Sequence, residues 1–183
     1  MNNDVYTVVK RQIVQIVNSN SPLGRATLAK LRRGAGKSPG SIPDIWGITV
    51  GALPENAGNF AEQAVHVALT LFAVHRQGTE ISGQNGGTLG AAVSKLKSGD
   101  NDEALTRRFN STVTAATITE LSVHLRSLVQ LLRAKQVDMD YPRLAKELYD
   151  WQFDSENTRL RWGRDYWRLK NIINQEEESD DEQ

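Results

Sequence analysis

The sequence contains no cysteine. Disulfide staples and thiolate chemistry are therefore excluded, a composition that fits a reducing compartment. Histidine is scarce, with three in 183 residues. His66 and His75 stand nine apart in one apolar stretch, which on a helix sets them on opposite faces, and His124 stands by itself. Glu62 and His66 have i,i+4 spacing suited to a shared cation, but no third ligand accompanies them, so no metal and no cofactor is expected. No serine or threonine sits in an activated-nucleophile motif. Asp138 and Asp140 read as helix-capping residues rather than an acid/base pair, and no catalytic residue is expected. The longest apolar run, 64–74, is broken by His66 and falls far short of the roughly 20 residues that cross a bilayer. The opening MNNDVYTVV lacks a basic segment followed by an apolar run, so no signal peptide is expected and the location reads as cytoplasmic, with no membrane partner. Gly36-Lys37-Ser38 invites comparison with a phosphate-binding loop, but the glycine that motif needs five places earlier is Leu31.

Strand-like alternation is also missing, and what remains is helical. Val5, Val9, Ile13, Ile16 and Val17 make an apolar stripe over 4–17. Ser21-Pro22 is a start signal for a short basic helix to about Arg33. The segment 34–54 is irregular, with Trp46 as its expected anchor in the core. Asn59 with Glu62 resembles a capping box opening the most apolar helix, about 60–76, which is expected to be central. The glycine-rich segment 77–87 reads as a mobile loop, and a short helix follows to about Leu96. After a break at 98–101, Asp102 is the expected cap of a helix carrying Leu105 and Phe109. Thr117 and Glu120 make a capping box for a helix to about Lys135, and Asp140-Tyr141-Pro142 starts one to about Trp151. Ser155 is the expected cap of the last. On that last helix Trp162, Tyr166, Leu169 and Ile173 form a core stripe. Leu160, Gly163 and Trp167 form a second ridge, the glycine permitting close approach of a neighbour. The reading is all-α, seven or eight helices packed as one or two helical-bundle lobes. The expected division is an N-terminal lobe over 1–100, a C-terminal lobe over 101–175, and a disordered acidic tail over 176–183.

The formal charge of zero hides an asymmetry. The last eight residues hold six acids and no base, so residues 1–175 carry 22 basic groups against 16 acidic ones, a net of +6. The bases gather on helices: Arg25, Lys30, Arg32, Arg33 and Lys37; Arg107 and Arg108; Arg126 and Arg133; and Arg161, Arg164 and Arg168. Between Arg159 and Lys170 the only acid is Asp165, too few for self-neutralising i,i+4 pairs. Such faces suit an external polyanion. Most aromatics fall on apolar stripes, which favours tracking of phosphates over base readout.

The order of segments is informative. LAKLRRGAGKSPG is followed by SIPDIWGI and FAEQAVHVALTLFAVHRQG. GTLGAAVSKLKSGD, RRF…LRSLVQLLR, DYPRLAKELYDW and NTRLRWGRDYW then succeed one another. This ordered set, over about residues 5–170, resembles the CasB family, the small subunit of the type I-E CRISPR Cascade surveillance complex in antiviral defence. The resemblance implies an α-helical, non-catalytic subunit, present as a homodimer in the assembly. It implies contacts with the backbone subunits, the large subunit, guide RNA and target DNA, and a basic surface that holds the displaced strand and stabilises the R-loop. Arg32, Arg33, Arg107, Arg108, Arg126 and the arginines near the last tryptophans match the family's basic patches. The acidic tail is not a family feature. Two other readings compete: a helical regulator reading a specific duplex sequence, and a pure protein–protein adaptor whose arginines meet acidic partners. Against the regulator, no helix mixes Arg, Asn and Gln for base edges.

Overall fold

A helix that is apolar on every side has to be surrounded, and Gly58–His75 is. Of its eighteen residues all those from Ala64 onward are buried. The computed structural model describes residues 1–18, 22–99 and 102–180, with side chains through Arg168. Among the described residues the order is α1 (Asn2–Asn18), α2 (Pro22–Gly34), three short 3-10 turns between 39 and 52, α3 (Gly58–His75), α4 (Leu89–Ser94), α5 (Asp102–Val113), α6 (Ile118–Ala134), α7 (Tyr141–Trp151) and α8 (Ser155–Asp180). The all-α expectation holds. Helix α3 packs against α1, α2, α6 and α7, while α1 also packs on α7 and α4 on α8. The predicted stripes face this core: Val5, Val9, Ile13 and Ile16 of α1, Leu121, Leu125, Leu128 and Leu132 of α6, and Leu144, Leu148 and Trp151 of α7 are all buried. Among the described residues no helix is long and apolar enough to cross a membrane.

Local chemistry sets most boundaries. Thr117 Oγ1 accepts from the Glu120 amide at 3.2 Å, and Glu120 Oε2 accepts from the Ala116 amide at 2.8 Å, so α6 opens on a reciprocal cap. Asp140 Oδ1 accepts from the Arg143 amide at 2.9 Å and starts α7 with Pro142 in its first turn. Asp102 opens α5, but its carboxylate turns back to the Ser98 and Gly99 amides. Ser21 lies outside the described residues, as do the side chains of Leu169, Ile173 and the acidic segment 176–183.

Several expectations are corrected. Asn59 is not the cap of α3: the helix begins at Gly58, whose φ of 73° makes the turn, and no side chain caps it. Trp46 is not the core anchor. The residue is 44% exposed and its Nε1 donates to the Pro39 carbonyl at 3.1 Å, while the adjacent Ile45 is fully buried. The 77–87 segment is not loose. The Asp138 carboxylate accepts from the Ser82 amide at 3.0 Å, the Ser82 hydroxyl at 2.7 Å and the Gly83 amide at 2.9 Å, and the Tyr141 and Asp140 amides donate to the Gly83 and Gly87 carbonyls. Asp154, not Ser155, caps α8, accepting from the Asn157 amide at 3.1 Å, a bond that also lowers its pKa.

Helix α8 meets the core along one stripe. Trp162 and Tyr166 are fully buried. The Trp162 indole donates to Glu147 Oε2 at 2.6 Å, and Tyr166 stacks on Phe109 with ring centroids 4.2 Å apart. The glycine that permits close approach is Gly90 of α4: a Cβ there would overlap the Trp162 carbonyl oxygen and stand 3.0 Å from the Tyr166 amide. Gly163, whose place between Leu160 and Trp167 suggests that role, does not fill it. Nothing described lies within 4 Å of a Cβ placed on it, and Leu160 and Trp167 beside it are each 49% exposed. The second ridge of α8 faces outward.

Candidate nucleic-acid interface

The basic side chains fall off the apolar stripes, and the folding of the chain sorts them into groups. On α2, Arg25 and Arg32 face Arg76 across a hollow of about 420 Å³ between that helix and the turn after α3. The Arg76 guanidinium donates to the Ile81 carbonyl and pairs with Glu80 Oε2 at 3.4 Å. Lys30 is exposed. Arg33 pairs with Asp44 at 3.1 Å, both side chains more than half exposed, an arrangement worth at most about 1 kcal/mol. Lys37 follows in the exposed loop after α2. Arg126 of α6 reaches that loop, donating to the Ala35 carbonyl at 3.3 Å, and Arg133, two turns further along the same face, donates to Gln77 Oε1 at 3.2 Å. Both α6 arginines thus turn toward the α2–α3 side of the molecule.

On α5, Arg107 pairs with Glu103 at 2.7 Å on the exposed side, one turn along the helix. Arg108 instead rims a groove of about 310 Å³ between α5 and α6, with Lys135 at the same rim and Leu96, Leu105 and Leu131 along its wall. On α8, Arg161 donates to Thr158 Oγ1 at 3.2 Å and lies 3.8 Å from Asp150. Arg164 and Arg168 are exposed and have no acidic partner among the described residues. Asp165 does not neutralise them: it accepts from the hydroxyl of Thr88, the cap of α4, at 2.7 Å.

Three residues of this arrangement do not stand out in the sequence. Arg76 and Lys135 each end a helix whose interest lies in its apolar residues, and their neighbours come from distant parts of the chain. Trp167 reads as packing material because a tryptophan next to a core stripe usually is.

The buried polar groups serve the fold. His66 Nε2 lies 3.2 Å from the Gly34 carbonyl and ties α2 to α3; burial lowers its pKa. His75 Nδ1 lies 2.9 Å from the Tyr141 hydroxyl, and burial holds its pKa near 4. Glu147 is pushed up by burial against the opposing pull of the Trp162 indole and Arg143. Among the described residues, no three histidine or carboxylate side chains gather at metal-binding distances. Guanidinium and ammonium groups set outward on several helices, many without a partner carboxylate, offer hydrogen-bond donors and charge to phosphates.

The comparisons with known proteins agree with the sequence resemblance. No curated protein matches the chain. A crystal structure of CasB from Thermobifida fusca superimposes with a TM-score of 0.75 at 32% identity, covering 88% of this chain and 97% of that one. A chain of a CRISPR RNA-guided surveillance complex superimposes with a TM-score of 0.78 at 21% identity, covering 93% of this chain and 98% of that one. CasB from Thermus thermophilus gives a TM-score of 0.68 at 21% identity over 86% and 97% of the two chains. The family model of CRISPR-associated protein Cse2 matches residues 27–167, and with that match spanning most of its length the chain belongs to the CRISPR-associated Cse2 family.

Proposed function

We propose that the chain is a non-catalytic subunit of an RNA-guided CRISPR surveillance complex of the Cascade type, and that its basic helix faces hold nucleic acid by its backbone. The observation that carries this is the set of exposed Arg25, Lys30, Lys37, Arg108, Arg164 and Arg168, none with an acidic partner among the described residues, on a chain of the Cse2 family. The likeness to a chain of a surveillance complex supports the assembly. Within it the chain would stand as a pair beside the backbone and large subunits, with the guide RNA and target DNA as neighbours. Exchange of a DNA duplex for an RNA–DNA hybrid is nearly balanced, so contacts to the displaced strand tip it. A surface that reads phosphate rather than base suits a strand whose sequence changes with every guide.

The test is reconstitution. A tagged chain co-expressed with the other Cascade subunits and a guide RNA is expected to co-purify with them, and its omission to weaken binding of target duplex while leaving guide retention intact. A chain that never enters the complex, or whose omission leaves target binding unchanged, overturns the proposal.

A further inference from the structure

The outward ridge of α8 combines an apolar ring with cations in a way that the backbone-holding role alone does not use. Leu160, Gly163, Arg164 and Trp167 follow i, i+3, i+4, i+7 spacing and so share one face of the helix. Leu160 and Trp167, each 49% exposed, stand at the two ends of a shallow hollow of about 450 Å³, and Gly163 between them contributes no side chain to fill it. Arg164 and Arg168 border the same hollow, exposed and without an acidic partner among the described residues. The indole is not loose. Lys97 Nζ lies 4.6 Å from its centroid and 3.8 Å from that of Tyr166, and donates to the Tyr166 carbonyl at 3.2 Å. Tyr166 meets Trp167 edge to face with centroids 5.2 Å apart.

From this geometry we infer that the Leu160–Trp167 hollow is a base-stacking site for single-stranded nucleic acid, in which an unpaired base lies on Trp167 and the flanking phosphates meet Arg164 and Arg168. The inference rests on the backbone-holding reading and adds to it a contact with the bases. Charge selects the occupant: an apolar slot bordered by two guanidinium groups with no acidic partner among the described residues is complementary to a ligand that carries aromatic surface and negative charge within one repeat, as a nucleotide does. Stacking is indifferent to sequence because every base has a π-face. A duplex does not fit, since its bases are already stacked on one another.

The full chain is titrated at low salt with an oligothymidylate strand and with an abasic strand of equal length, which keeps the phosphates and lacks the bases. The wild-type chain is expected to bind oligothymidylate roughly tenfold more tightly. Trp167→Ala abolishes that preference and leaves the abasic affinity unchanged, while Trp167→Phe retains most of it. Arg164→Ala with Arg168→Ala weakens both strands together and lowers the slope of log affinity against log salt by about 0.7 for each phosphate no longer neutralised. Since Trp167 is half exposed, its variants are expected to melt cooperatively, with Trp167→Ala somewhat below the wild type for loss of its contacts with Lys97 and Tyr166 and still fully folded at the temperature of the titration. A wild-type chain that binds both strands equally, or a Trp167→Ala variant that keeps the thymidylate preference, overturns the stacking site and leaves the backbone reading standing. A chain that binds neither strand overturns both. A Trp167→Ala variant that binds strands as the wild type does but fails to assemble with partner subunits shows the ridge to be a protein interface and overturns the inference.

Discussion

Trp162 shows how much one side chain settles. It is fully buried, and its indole nitrogen satisfies one oxygen of the buried Glu147 while Arg143 Nε approaches the other at 3.2 Å. Truncation to alanine removes a large aromatic from a packed core and strips that carboxylate of a donor. Trp162→Ala is expected to lower stability by about 3–5 kcal/mol, read as a drop in the midpoint of circular dichroism melting; an unchanged midpoint contradicts the assignment. His75 makes a second residue-scale prediction. Its pKa is held near 4 by burial, against an ordinary value near 6.5. In that window the unfolded chain binds the proton and the folded one does not. The stability is therefore present above about pH 6.5 and lost as pH falls toward 4, by on the order of 3 kcal/mol. Denaturant midpoints measured from pH 7 to 4 are expected to fall for the wild type. They should fall less steeply for His75→Gln, which keeps the part owed to His66 and the opposing contributions of Glu147 and Asp140, whose pKa values burial raises. Equal slopes contradict the account.

At the scale of elements, periodicity is enough to find the helices, and misleads where the decisive contact is distant in sequence. The stripes of α1, α6 and α7 are buried as their spacing requires, because an apolar stripe at helical period has no stable place but a core. The 77–87 segment misleads because glycine marks both a free chain and a crowded one. Here the glycines let the backbone approach Asp138 and Tyr141, residues more than fifty positions away. Gly90 and Gly163 make the same point in opposite directions. Gly90→Ala drives a methyl into the α8 backbone and is expected to destabilise by at least about 1–3 kcal/mol. Gly163→Ala meets open space in the interior of a helix, and replacing glycine by alanine there is expected to stabilise by about 0.4–1 kcal/mol. Paired melting curves check both signs: a Gly90→Ala variant that is not destabilised contradicts the crossing of α4 and α8, and a destabilised Gly163→Ala contradicts the outward placement of the second ridge.

For the whole molecule, charge is legible in the sequence and its grouping is not. The +6 of residues 1–175 and its concentration on helix faces can be counted. That Arg25 and Arg32 share a hollow with Arg76, that Arg108 shares a groove rim with Lys135, and that Arg33 meets Asp44 depends on how the folded chain brings these side chains together. A surface of this kind acts by summed charge. Exposed pairs contribute little singly, while phosphate contacts compound through counterion release. Binding of single strands to the isolated chain is accordingly expected to be weak, indifferent to sequence and steeply salt dependent, with log affinity falling by about 0.7 per phosphate contact against log salt. A flat salt response contradicts it.

The central claim is that outward cations on separate helices jointly hold nucleic acid in the assembled complex. Its most direct measurement is a gel-shift titration of target duplex against reconstituted complex carrying Arg25→Ala with Arg32→Ala, Arg108→Ala with Lys135→Ala, and all four together, with a melting curve for each isolated chain. The account predicts unchanged melting, intact guide-RNA retention and a stepwise loss of target affinity that is largest for the quadruple variant. A quadruple variant that assembles normally and binds target as tightly as the wild type would show these cations to be a solvated face and contradict the account.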